Sequence, residues 1–157
     1  VKRAEALRAL SREHHVALEL ALRLRRATDA DADAVAAAAV DFWHTAAREH
    51  FRDEEEILLP AFARHVAADD PDIVRVLVEH VELRRRFASV AAGAEADRAG
   101  TNRAGVPRAR VGAADLNALG ELLAGHVRHE ERTLFPRIEA ALDDGELSAV
   151  SDALATG

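Results

Sequence analysis

The chain has 157 residues, no cysteine and a formal net charge of −7 at pH 7. That length suits one domain, residues 1–157, able to bury a core without covalent staples. The missing cysteines exclude a disulfide framework, thiolate metal sites, iron–sulfur clusters and a cysteine nucleophile, the acidic balance argues against a nucleic-acid partner, and no apolar run reaches the ~18 residues of a membrane span.

Alanine, leucine, arginine and glutamate dominate, and no Val/Ile/Thr/Tyr run alternates with period two, so an all-α fold is expected. The opening Val1-Lys2-Arg3-Ala4-Glu5 leads into a mixed-charge helix and not into an apolar signal segment. With the absent cysteines this sets the expectation of a cytoplasmic protein. Helix one is predicted from Lys2 to Ala27, with Leu7, Leu10, Ala17, Ala21 and Leu24 at helical spacing. Thr28 to Asp33 supply a turn and a cap. Helix two is predicted from Ala34 to Ala67. Asp69-Asp70-Pro71 then reads as a stop and restart, with Asp70 capping and Pro71 in the first helical position. Helix three runs to Ala96. Gly100 to Gly112, with three glycines and a proline, reads as a loop. Helix four is predicted from Ala113 to Leu142, ended by Asp143-Asp144-Gly145, and a last short helix from Glu146 to Leu154. Four long amphipathic segments with mostly short connections predict an up-down-up-down four-helix bundle with a short C-terminal helix.

Two stretches repeat one another. His50-Phe51-Arg52-Asp53-Glu54-Glu55-Glu56-Ile57-Leu58-Leu59-Pro60 and His126-Val127-Arg128-His129-Glu130-Glu131-Arg132-Thr133-Leu134-Phe135-Pro136 both read H-x-R-x-E-E-x-x-L-x-P. Each follows a helix carrying a Glu-His pair, Glu13-His14 and Glu79-His80, so the chain reads as two similar halves. Residues i and i+4 lie above one another on a helix, so His50 and Glu54 share a face, as do His126 and Glu130. Those faces are apolar: Trp43, Ala47, Ile57 and Leu58 around the first pair, Leu119, Leu123, Leu134 and Ile138 around the second. His80 falls between Ile73, Leu77 and Phe87, and His14 continues Leu7 and Leu10.

Burying unpaired carboxylates costs several kcal/mol or neutralises them. Four imidazoles and two carboxylates converging in one bundle fit a two-metal site, where the ions balance the charge and the carboxylates bridge. Nitrogen and oxygen donors without thiolate suit iron, manganese or zinc. His15 projects about 100° from His14 and stays open as the alternative or an additional ligand. His44, His65 and His129 read as structural or solvent-facing, with His129 an alternative outer donor. Glu55, Glu56 and Glu131 read as solvated charges. Trp43, Phe51, Phe62, Phe87 and Phe135 read as core that can also wall a dry pocket. Pro60 and Pro136 are expected to kink their helices.

From about Leu7 to Leu142 the chain resembles the hemerythrin-like family, on the lone histidines of helices one and three and the doubled H-x-x-x-E-E-x-x-L-x-P. The resemblance implies two iron ions, oxo- or hydroxo-bridged, with His14 and His50 on one, His80 and His126 on the other, and Glu54 and Glu130 between them. Oxygen-carrying members have a further histidine four residues before that of helix three, where this chain has Val76, and an aspartate in helix four one residue further along than Glu130, the carboxylate that this chain offers. The set of four histidines and two glutamates is closer to iron-centre-repair and iron-sensing members, the former also carrying a cysteine-containing domain. The expected role is binding or sensing of O2, NO or peroxide. The alternatives are an iron store or iron-level sensor, and a metal-free interaction bundle. No nucleophile, substrate pocket or phosphate loop is legible, so an enzymatic role reduces to peroxide or nitric oxide chemistry at the metal pair.

Overall fold

A computed structural model describes residues 3–67, 69–99 and 111–156. Its helices are α1 (Glu5–Arg25), α2 (residues 32–62), α3 (Pro71–Ala99), α4 (residues 113–141) and α5 (Asp144–Thr156), and no strand occurs among the described residues. The first four form the expected up-down-up-down bundle. α1 packs along α4 and the opening half of α2 along α3, while α5 lies against α1 and the far part of α2. Apart from Val111 and Gly112, the expected glycine-rich loop lies outside the described residues. No helix among the described residues is long and apolar enough to cross a membrane.

Side-chain capping sets the starts of α3 and α5, whereas the first residues of α1 and α2 have no side-chain cap. The Asp70 carboxylate accepts the Asp72 N–H at 3.0 Å and is gripped by Arg137 at 2.9 and 2.7 Å, so the stop and restart is also tied to α4. Asp143 and Glu146 cap one another reciprocally at the start of α5. α2 ends at Phe62, short of the expected Ala67. Alanine favours helix there, but Phe62 is pulled into the core and the following turn places His65 2.9 Å from Glu146 of α5. Tertiary contacts override a weak local preference.

At both prolines the helix continues, as expected, and the backbone adjusts just before each one. α2 and α4 each carry a π-turn, Glu54–Leu58 and Glu130–Leu134, directly before the Leu-Pro and Phe-Pro steps. The Leu59 N–H bonds to Glu54 O and the Phe135 N–H to Glu130 O, five residues back. Proline has no N–H to offer and crowds the preceding turn, so the wider turn absorbs it and the helix runs on. A third π-turn, Trp43–Ala47, lies within α2 beside the site.

Two apolar clusters form the core. One holds Leu20, Leu24, Val35, Phe87, Leu116 and Leu123; the other Leu7, Leu10, Leu58, Phe62, Phe135 and Ile138. The repeated polar residues lie between them, with apolar packing on either side. Along α3 the inward residues are Ile73, Val76, His80, Leu83 and Phe87. Leu77, placed on that stripe by sequence, is 40% exposed, because Val76 at i−4 from His80 takes the inward position. Ile57 is likewise only half-buried, displaced by the π-turn that carries it.

α1 and α4 are in close contact at Gly120. A Cβ there would stand 2.7 Å from Leu24 Cβ and 2.8 Å from Ala21 O. About one turn earlier on α4, Asn117 donates to carbonyls at and just past the end of α1, Leu24 O at 2.9 Å and Ala27 O at 3.2 Å. Gly120→Ala is expected to cost about 1–3 kcal/mol by overpacking, read as a lowered urea midpoint; an unchanged midpoint would show that the helices part freely.

Candidate metal centre

Six of the seven residues singled out by sequence meet at the centre of the bundle. His14, His50, Glu54, His80, His126 and Glu130 are all buried. Their donor atoms form two groups, His14, His50, Glu54 and Glu130, and Glu54, His80, His126 and Glu130, each with all its donors within 4.8 Å of one another. Both carboxylates belong to both groups. Glu54 Oε1 is 3.3 Å from His50 Nε2 while its Oε2 is 3.3 Å from His80 Nε2. Glu130 Oε2 lies 3.2 Å from His14 Nε2 and 3.4 Å from His126 Nε2. The imidazoles pair tip to tip, His14 with His50 at 3.0 Å and His80 with His126 at 3.1 Å between Nε2 atoms.

All four rings turn Nδ1 outward to a carboxylate. His14 donates to Glu131 at 2.7 Å, His50 to Glu13 at 2.6 Å, His80 to Glu55 at 2.8 Å and His126 to Glu79 at 3.0 Å. A carboxylate only accepts, so Nδ1 carries the proton and a neutral ring presents its Nε2 lone pair inward. Lone pairs then face lone pairs across about 3 Å, and both oxygens of Glu54 and of Glu130 lack a hydrogen bond. Such a centre needs cations. Protons supply some of the charge: His14 is raised to about 9, because contacts with Glu130, Glu131 and Glu54 outweigh the burial that opposes its charge. His50 is raised well above its ordinary value against the same burial, through Glu54, Glu13 and Glu130. Glu54 is held well below the carboxylate range despite its burial, by His50 and His80. Imidazole nitrogens and bridging carboxylate oxygens are also the donors that divalent first-row metals take, so the residues present fit a metal pair.

The model of the hemerythrin HHE cation-binding domain matches residues 5–151. The chain belongs to that family. No curated protein and no solved structure matches it.

Within this hemerythrin domain the outer carboxylates form a closed circuit that sequence reading missed. Glu13 of α1 holds His50 of α2, Glu55 of α2 holds His80 of α3, Glu79 of α3 holds His126 of α4, and Glu131 of α4 holds His14 of α1. Each is the sequence neighbour of one inner residue and the partner of another on the next helix. Glu55 and Glu131, read as solvated charges, are half-buried, and burial notwithstanding both sit below the usual carboxylate range, Glu131 at about 2. The repeat itself carried the signal, in the glutamate before each single histidine and the second glutamate of each E-E. Such outer partners orient rings and raise their basicity toward a metal.

Aromatic rings close two arms of the hemerythrin site. Phe51 stacks on His80 at 4.0 Å and Phe135 on His14 at 5.3 Å, with Arg84 over the Phe51 ring and Arg3 over the Phe135 ring. His15 is not brought to the site. It lies exposed on the outer face of α1, where its Nδ1 meets Ser11 O at 2.8 Å, since the step of one residue rotates it away from the Leu7/Leu10 stripe. His129 stands 3.1 Å from Asp72 and holds none of the four rings; His44 is exposed, and His65 pairs with Glu146.

Proposed function

We propose that the chain holds two iron ions and binds a small ligand, O2, NO or peroxide, at them. The observation that carries the metal pair is the set of four carboxylate oxygens without a hydrogen bond, enclosed by four inward Nε2 atoms. His14, His50, Glu54 and Glu130 would hold one ion, His80, His126 and the same two glutamates the other. Iron supplies the affinity for the small molecule; the protein orients the donors and excludes water.

A cavity of about 70 Å³ beside His14 and His50 supports the ligand reading. Its walls include Ala17, Phe42, Ala46, Ala47, Phe51 and Val127, almost wholly apolar. That space takes a diatomic or peroxide and is far below the ~300 Å³ of sites for metabolite-sized substrates. The aromatic residues expected to wall a dry pocket are represented here by Phe51.

Metal analysis with absorption spectra, without air and then with O2 or NO, tests the reading. Two irons per chain and a near-ultraviolet to visible band that changes on exposure are expected. Ala46→Phe fills the cavity and should retain both irons while blunting the response to NO. A protein that holds two irons but responds to neither gas would be an iron store or iron-level sensor instead.

A further inference from the structure

The circuit of outer carboxylates has one arm unlike the rest. Glu131 is clamped by Arg3 at 2.7 Å and Ser11 at 2.7 Å, Glu55 by both nitrogens of Arg84 at 2.8 Å, and Glu79 by Arg75 at 2.8 Å. Glu13 has no lysine or arginine within ion-pair distance among the described residues, and its side chain is 51% exposed. Its imidazole, His50, is the most exposed of the four inner histidines, at 8%. The cavity opens on the same arm, bounded by Glu13, Val16 and His50, with Val16 53% exposed at its edge. The corresponding arm, Glu79 and His126, is held by Arg75.

A clamped carboxylate has its rotamers pinned by a second partner, so it keeps its imidazole aimed inward. One held by the imidazole alone, facing water, swings away at little cost, and its ring follows. We infer that His50 is the releasable arm of the site, so that metal enters and leaves through the His14–His50 position while the His80–His126 position exchanges slowly. This rests on the two-ion reading above. Glu13 and Arg84 act here as positioning residues: neither reaches the donor cluster, and each sets how long an inner ring stays in place.

The test loads the full chain with ferrous iron without air and follows its transfer to a colorimetric chelator. Two release phases of equal size are expected. Glu13→Gln should speed the fast phase about tenfold or more and leave the slow one unchanged. Arg84→Gln, which frees Glu55 to move, should speed the slow phase instead. Both side chains lie at the surface, and circular dichroism melts of the metal-free variants will show that folding is kept. A single phase from a protein carrying two irons would overturn the inference, as would the two variants acting on the same phase. Binding of fewer than two irons at saturation would instead refute the two-ion reading, and this inference with it.

Discussion

Replacing Glu54 with glutamine is expected to empty the metal site. The two oxygens of Glu54 face different histidine pairs, His50 through Oε1 and His80 through Oε2, so its charge serves both positions at once. Glutamine keeps the shape but removes that charge and points an N–H₂ group into the space between the rings. A cation there would meet a donor where it needs an acceptor. Loss of an outer partner of a metal-bound histidine lowers affinity about 10–100-fold; loss of a bridging donor is expected to exceed a hundredfold. Iron retained after desalting should fall from two per chain to one or none, with the ligand-sensitive absorbance lost. Glu130→Gln should behave alike, since Glu130 Oε2 lies between His14 and His126, one histidine from each pair. Helicity is expected to persist, because the apolar clusters on either side stay intact. Two irons retained by Glu54→Gln, with the absorbance of the parent protein, would show that this carboxylate bridges nothing.

Metal-free protein is expected to lose stability as the pH rises from 6.5 to 9. His14 is raised to about 9 because Glu130, Glu131 and Glu54 surround it, against the burial that disfavours its charge. In the unfolded chain it titrates near 6.5. A group whose folded value is raised contributes stability in full below the unfolded value, and loses it as the pH climbs through the folded one. For His14 alone that loss is on the order of 3 kcal/mol. His50 and His126, raised against burial by Glu54 and Glu130 with Glu13 and Glu79 respectively, act in the same direction. Glu54 has the opposite sign. Held below its ordinary value, it stabilises above the unfolded carboxylate range and ceases to do so in acid. The metal-free bundle should therefore be most stable at mildly acid pH. Urea denaturation of chelator-treated protein at pH 6 and pH 9 measures this directly; equal midpoints would show that protons do not balance the buried carboxylates. Metal competes for the same lone pairs, so loading should remove the alkaline decline and weaken in acid.

Much of this site was legible because it obeys helical spacing. His50 and Glu54, and His126 and Glu130, share faces whatever the rest of the chain does, and the apolar residues flanking them in sequence say that those faces are buried. His14 was separable from His15 on the same ground, by 100° of rotation against the Leu7/Leu10 stripe. Asp70-Pro71 marked a helix boundary that the structure keeps. At Leu77 helical spacing no longer decides. At positions 76, 77 and 80 several residues fit an inward stripe, and the choice of Val76 over Leu77 depends on what α4 and α2 present to α3.

The sequence by itself determined an all-α bundle with six buried donors, since periodicity and the repeated motif are local properties of each helix. Tertiary structure alone decided which glutamate serves which histidine, where the cavity opens and which outer carboxylates are clamped. Glu13 and Glu131 sit one residue from an inner ligand, out of phase with the core face, and by spacing alone look like solvated charge. They become part of the centre because each reaches across to the neighbouring helix, and the rotation and separation of two packed helices cannot be read from either one. The π-turns follow the same division. Pro60 and Pro136 announced a break in the backbone ladder, whereas packing on both sides required the helices to continue and made a wider turn the way through.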